Sequence, residues 1–281
     1  MGGATAATGV DARTEDQAVR GEGSEPVEPT DKAAEGDMAA EVDGVAAEFR
    51  DDVSVELVRS AARDADVLFA ARVSTKGEQS LDDVEADAER SAGLINYLMR
   101  SRHGSPFEHN SMTFYVHAPI FVFRELMRHR IASYNEESGR YRELGPVFYV
   151  PGPERRLVQE GKPGHYRFVS GTPEQHALVE RETREQCTRA YASYQRMLAA
   201  GVAREVARIV LPLTIYSSAY VTVNARSLMN ILSLRTSREE SAVPSYPQRE
   251  IEMVAERMEE EWARLMPLSH AAFVRNGRVS P

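Results

Sequence analysis

The chain of 281 residues holds one cysteine and one tryptophan. A lone Cys187 excludes an intrachain disulfide and any CxxC metal site. No GxGxxG run follows a strand-like segment, so a Rossmann turn is not the device that would hold a dinucleotide. His103 and His109 bracket Glu108, but the spacing is not HExxH and no third ligand is evident, so no metal is expected. No segment offers the ~18 uninterrupted apolar residues of a membrane span. The N-terminal stretch lacks the basic start and apolar run of a secretory signal, and it is too acidic for a mitochondrial presequence. These absences leave a soluble cytoplasmic protein with no membrane partner as the expected class.

What charge there is lies unevenly. The net charge is −9, yet residues 1–52 hold 14 acidic and 4 basic residues, which leaves the rest of the chain near neutral. A near-neutral body gives no long-range attraction to a polyanion, so no nucleic-acid partner is expected. The stretch 1–52 is rich in Ala, Gly, Glu, Asp and Pro, with almost no large apolar residue before Phe49. It buries too little surface to offset its ordering entropy and reads as a disordered acidic tail.

From residue 53 onward the patterns are those of a folded domain. Val53 to Val58 and Ser111 to His117 alternate as strands do, and Thr214 to Val223 is β-rich. Helical spacing appears over 65–73, over 83–100 with Gly104 as terminator, and from Pro119 to Arg128 or Arg130. Ser105-Pro106 has the form of a helix start. A long helix is expected from Pro173 to Ala200, with Leu178, Cys187, Tyr191, Tyr194 and Leu198 facing inward. Shorter helices are expected over 204–210, 225–234 and 247–266, while 141–172 reads mainly as irregular connection. The sum is a single α+β domain over 53–281.

The densest chemistry lies between residues 128 and 140, where Arg128, His129, Arg130, Asn135, Glu136, Ser138 and Arg140 share thirteen positions. Permanent guanidinium charges this close are costly unless they meet anions, and a phosphorylated ligand is a natural partner. A solvated charged loop is the plain alternative, although Phe121-Val122-Phe123 and Phe148-Tyr149-Val150 bound the segment. Arg128-His129-Arg130, seven residues and then Ser138 match the RHR-x7-S signature, and the segment resembles the flavin-dependent thymidylate synthases. The likeness extends to Ser105-Pro106-Phe107-Glu108-His109, to Ala118-Pro119-Ile120-Phe121-Val122, and to Gly139-Arg140-Tyr141. It continues through Gly201 to Pro212 and through Asn224-Ala225-Arg226-Ser227-Leu228-Met229-Asn230, and covers roughly 53–275.

The resemblance implies an antiparallel-sheet core with helices, assembled as a homotetramer with active sites shared between subunits. It implies FAD-dependent methylation of dUMP to dTMP, with 5,10-methylenetetrahydrofolate as carbon donor and NADPH as reductant. By resemblance, dUMP is bound by Glu125, Leu126, Met127 and Arg128, by Glu136, Glu137, Ser138, Gly139 and Arg140, and by Arg208 and Arg235. Arg235 is the candidate catalytic residue, placed to favour ionisation at the uracil N3. The positions that match FAD contacts are Ser105, Glu108, Arg128, His129, Arg130, Ile131, Glu136, Asn224, Ala225, Arg226 and Asn230.

Each of these side chains also has a plainer reading. Arg208 could be a solvated helix arginine, Arg235 a favourable charge at a helix C-terminus, and Ser105 a simple cap. Ser138 has no GxSxG context and is expected to donate to phosphate rather than act as nucleophile. Cys187 lies outside every matched block, so the pyrimidine must be activated without cysteine attack; a flavin that delivers hydride meets that need. The chain departs from the family pattern in three places. Glu125 stands where many relatives have Gln, and an acid there belongs by base or ribose rather than phosphate. Asn230 stands where some have His, and Thr236 to Pro247 is lengthened before Gln248-Arg249-Glu250-Ile251. The competing readings are a non-catalytic nucleotide- or RNA-binding module, and a flavin enzyme acting on uracil in RNA.

Overall fold

Chain order in the computed structural model begins with the two-residue strands β1 (Glu41–Val42) and β2 (Val45–Ala46), then β3 (Glu48–Arg50), β4 (Ser54–Ala61), α1 (Asp64–Lys76) and α2 (Ala88–Arg100). A 3-10 turn, Ser105–Glu108, leads into β5 (Ser111–Pro119), α3 (Ile120–Leu126), β6 (Ser133–Glu136), β7 (Val147–Tyr149), β8 (Val158–Lys162) and β9 (His165–Val169). Next come α4 (Pro173–Ala199), α5 (Arg204–Ala207), a second 3-10 turn (Arg208–Val210) and β10 (Tyr216–Val223). Then follow α6 (Ala225–Arg235), α7 (Arg249–Leu265) and α8 (Pro267–Arg275). The structure describes residues 41–42, 45–77, 88–162 and 165–281, all within one unit, Gly36–Pro281.

Alternation builds the sheet. Met112, Phe114, Val116 and Ala118 of β5 point into the core beside Ala219, Val221 and Val223 of β10. The sheet is antiparallel, in the order β4-β5-β10-β6, and a bulge between Leu57 and Arg59 breaks the β4 register. Helices α6, α7 and α8 close the inner face through Leu228, Ile231, Leu232, Val254, Met258, Trp262 and Phe273, all buried. A second apolar cluster joins Phe49, Phe148, Ile215, Tyr191 and Tyr194. This is the single α+β domain that the patterns indicate, with the antiparallel sheet that the resemblance implies.

Several expectations need correcting. Residues 47–50 are not part of a disordered tail: Ala47 and Phe49 are buried, and β3 pairs in parallel with β7. Residues 1–40 and 83–87 lie outside the described residues. Gly104 does not terminate α2. Arg102, at φ 61°, takes the left-handed position, with His103 N–H donating to Leu98 O (2.9 Å) and Arg102 N–H to Met99 O (3.2 Å). Ser105-Pro106 opens one 3-10 turn, not a longer helix. The stretch 141–172 carries β7 and the β8–β9 hairpin, whose polar residues hide the alternation. Leu178 faces solvent at 47% exposure. Helix α8 escaped notice because Met266-Pro267 reads as an end, whereas Pro267 occupies the first turn of a new helix.

The α4 helix starts where expected. The Thr172 hydroxyl accepts from Gln175 N–H (3.3 Å), and the Gln175 amide oxygen accepts from Thr172 N–H (2.8 Å). Its Tyr191 hydroxyl donates to Leu144 O (2.9 Å), which ties down the loop leaving β6. The lengthened segment 236–247 is also anchored: Ser237 N–H donates to Glu252 Oε1 (2.9 Å) and Ala242 N–H to Gly277 O (2.9 Å).

Candidate active site

Helix α3 ends early, and that early end makes the first part of the site. It was expected to run to Arg128 or Arg130 but stops at Leu126. Arg128 N–H donates to Glu125 O (3.1 Å) and His129 N–H to Leu126 O (3.1 Å), so the chain coils tightly and His129 is buried. The Tyr134 hydroxyl lies 2.7 Å from Leu126 O and 3.0 Å from His129 O, and its one proton adds to the bonds at the carbonyl end of the helix. Arg128, Arg130 and Ile131 are left exposed, with Ile131 at 76%.

Arg235, in the last turn of α6, meets this coil. Its Nε donates to His129 Nε2 (3.1 Å), its Nη1 pairs with Glu125 Oε2 (2.5 Å), and its Nη2 lies 3.4 Å from Glu125 O. Burial, and then the Arg235 charge, hold the His129 pKa down to about 4. The ring is therefore neutral at pH 7, accepts at Nε2 and carries its proton on Nδ1. Glu125 and His129 thus fix the guanidinium, whose side chain is 20% exposed. They are the partners of Arg235.

A second group gathers where β6 ends. The Ser217 hydroxyl donates to Glu136 Oε1 (2.7 Å), and Glu137 N–H donates to Ser218 O (2.8 Å). The chain then turns over Ser138, whose Oγ accepts from Arg140 N–H (3.3 Å). A Cβ on the buried Gly139 would lie 3.2 Å from Arg208 Cδ and 3.1 Å from Leu144 Cδ1, so the glycine lets Arg208 close on this turn. Arg140 Nε pairs with Glu205 Oε2 (3.0 Å), both side chains 53% exposed.

A third group lies at the other end of α6. Asn224 caps the helix, accepting from Ser227 N–H (2.8 Å), while Asn110 Oδ1 accepts from Ala225 N–H (2.7 Å). Arg226 pairs with Glu108 and donates from Nε to Pro281 O (2.8 Å). Gly104 makes room for this, since a Cβ there would sit 2.6 Å from Arg226 Nε. Ser105, Arg226 and Asn230 are exposed. Arg226 and Asn230 share one face of α6, whereas Arg235 projects about 180° away. At α6 the flagged residues therefore form two sets that face apart, Arg235 with its partners Glu125 and His129 on one side and Arg226 and Asn230 on the other.

Sequence reasoning missed Tyr134, Ser217 and Asn110; only their contacts reveal them. A cavity of about 290 Å³ lined by Phe121, Tyr149, Arg155, Phe168 and Glu250 lies elsewhere, and none of the flagged residues lines it. Among the described residues no group of three His, Cys, Asp or Glu is placed to hold a metal ion, and no helix is long and apolar enough to cross a membrane.

Residues 56–268 match the family model described as Thymidylate synthase complementing protein. A flavin-dependent thymidylate synthase from Streptomyces coelicolor is 71% identical over 235 residues, spanning 83% of this chain and 96% of that protein. One from Tropheryma whipplei is 60% identical over 233 residues, spanning 83% and 97%. Among solved structures, a UMP/dUMP methylase, PolB, from Streptomyces cacaoi bound with 5-Br dUMP superposes with a TM-score of 0.78 at 59% identity, over 83% of this chain and 99% of that one. The same methylase bound with 5-Br UMP gives 0.77 at 57% identity, over 84% and 100%. With the family model spanning most of the chain and relatives this similar across nearly their whole length, the chain belongs to the flavin-dependent thymidylate synthases, a family of enzymes.

Proposed function

We propose that this chain is a cytoplasmic, homotetrameric thymidylate synthase that methylates dUMP to dTMP. FAD is its cofactor, 5,10-methylenetetrahydrofolate its carbon donor and NADPH its reductant. The observation that carries the reading is Arg235 fixed between Glu125 and a neutral His129. A permanent cation held still at the rim of a site stabilises negative charge as it develops on a pyrimidine, and Arg235 takes that role toward uracil N3. The Arg128 guanidinium, the Ser138–Gly139–Arg140 turn and Arg208 receive the nucleotide phosphate and sugar, while Glu136 is oriented by Ser217. The one catalytic domain begins before residue 53, with Ala47 and Phe49 already in its core.

The residues at the start of α6 suit an anionic dinucleotide. Ser105, Arg226 and Asn230 are exposed together, and the Gly104 cradle keeps Arg226 pressed against the chain. They would hold FAD with Glu108, Asn224 and Ala225, and with Arg128 to Ile131 and Glu136 from the other set. When bound, a flavin supplies a two-electron relay between the nicotinamide and the carbon being reduced from methylene to methyl. Because the two sets face apart on α6, one chain alone does not close a pocket from both, which supports active sites shared between copies.

The test is a spectrum and an assay. Yellow purified protein should oxidise NADPH in a dUMP-dependent way and form dTMP when the folate is added. A colourless protein that cannot take up added FAD would end the proposal. The methylase bound with 5-Br UMP favours a second reading, in which UMP is also accepted. Running UMP and a uracil-containing RNA beside dUMP separates a free-nucleotide enzyme from an RNA enzyme, and salt-sensitive RNA binding without flavin would favour a binding module.

A further inference from the structure

We propose that Gly277–Pro281 is a strap that fixes helix α6, with Arg278 the positioning residue for Arg235. The inference rests on the reading above for the role of Arg235. Five consecutive residues take part. Gly277 and Arg278 both adopt left-handed backbone, at φ 78° and 55°, and turn the chain back after α8. An arginine is an unfavourable occupant of that conformation, so its surroundings must hold it there. They do: the buried guanidinium forks onto Glu259, Nη1 to Oε1 and Nη2 to Oε2, both at 2.7 Å. His270 Nε2 lies 2.9 Å from Glu259 Oε1. Burial pushes the Glu259 carboxyl up, but hydrogen bonds from His270 and Arg278 and the Arg278 charge outweigh it, leaving a pKa of about 2.

From this anchor the strap grips α6 at both ends. Arg278 Nη2 donates to Thr236 Oγ1 (3.0 Å), and the Ser233 hydroxyl lies 2.7 Å from both Arg278 O and Met229 O, so contacts flank Arg235 on either side in sequence. At the other end Ser280 Oγ donates to Arg226 O (3.1 Å), and Pro281 O accepts from Arg226 Nε (2.8 Å). Arg102 Nη1 donates to Val279 O (3.0 Å) and Ser280 O (3.2 Å) from outside. The spans agree. Ser233 and Arg226 lie about 10 Å apart along the helix, the reach of three extended residues, and both sit on one face of α6. Gly277 O also accepts from Ala242 N–H, and a Cβ on Gly277 would meet Ala242 Cβ at 2.7 Å, so the lengthened 236–247 segment closes over the same point.

A merely structural ion pair would change melting alone. The test therefore uses Thr236→Val and Ser233→Ala, which release the strap from the end of α6 that carries Arg235 and leave the Arg278–Glu259 pair intact, with Arg278→Lys as the charge-conserving companion. For each, flavin-loaded protein is read for melting temperature, for kcat and KM with dUMP, and for amide hydrogen exchange across 225–236. We expect kcat with dUMP to fall about tenfold to a hundredfold, as for a displaced catalytic group, with a smaller change in KM and faster exchange in α6. Folded Thr236→Val and Ser233→Ala proteins with parental kcat and parental exchange would overturn the strap. If the parent neither binds nor turns over dUMP, the proposed function falls instead, and the exchange arm still judges the strap.

Discussion

Two arginine sites in this chain differ in how finished they are. Arg235 is 20% exposed, paired with Glu125 and seated on a buried neutral histidine. Arg140 is 53% exposed, pairs with an equally exposed Glu205, and has a hydroxyl and a glycine beside it on a turn. The first geometry is set before any ligand arrives, so its electrostatic effect is exerted without reorganisation. The second is a surface ion pair worth little, which a phosphate can replace at small cost. On the proposed reading, the same residue type serves chemistry at Arg235 and capture at Arg140, and burial separates the two.

Breaking the finished site should have the larger effect. Arg235→Ala should lower kcat for dTMP formation about a hundredfold to a thousandfold, the range for losing one preorganised donor. Its KM for dUMP should move far less. Steady-state kinetics on folded, flavin-loaded variants decides this, and a change confined to KM would reverse the roles assigned to the two arginines.

The pH dependence sharpens the same point. The His129 pKa is held near 4, below the usual 6.5, chiefly by burial and then by Arg235. As pH falls from 6.5 toward 4, the unfolded chain takes up a proton that the folded chain refuses, so stability drains away across that window. The size is about 3 kcal/mol from the shift. His129→Asn should flatten the decline of melting temperature with acid in this window. An unchanged slope would mean the ring is not buried neutral in solution.

At the open site the expected effects are smaller. Arg140→Ala should raise KM for dUMP about tenfold, as for one charged hydrogen bond, with kcat nearly kept. Added salt should weaken binding by the parent more than by the variant. Ser138→Ala should cost only about threefold, as for a neutral hydrogen bond. Complete loss of turnover in Ser138→Ala with nucleotide binding intact would revive a nucleophile role.

How legible was this in the sequence? The strand β5 announced itself by alternation and β10 by its β-rich content, and α4 was expected from Pro173. The early end of α3 was not legible, because it depends on Tyr134 reaching back across a turn to the carbonyls there. Phe49 looked like the end of an acidic tail; only its distant partner Phe148 makes it core. The candidate site residues came from the resemblance, but their pairing did not. Nothing local says that Glu125 and His129 converge on Arg235, more than a hundred residues away. Long-range polar contacts carry no periodicity, and so sequence patterns name the parts of such a site without showing which of them touch.

The smallest expected effect tests what the site does without. Cys187 is 2% exposed on α4, packed in the second apolar cluster beside Phe148 and Tyr191. Its Sγ lies 3.2 Å from Thr214 Oγ1, and burial pushes the thiol pKa up, against the weaker opposing effect of that hydrogen bond. A nucleophilic cysteine needs the opposite: exposure and a lowered pKa. Cys187→Ser should therefore keep kcat for dUMP within about twofold while lowering the melting temperature slightly, since a hydroxyl replaces sulfur among apolar neighbours. The assay compares dTMP formation by the variant and the parent at equal flavin content. A folded, flavin-loaded Cys187→Ser protein without activity would show that the ring is attacked by a thiol after all, and would remove the reason for assigning activation of the pyrimidine to Arg235.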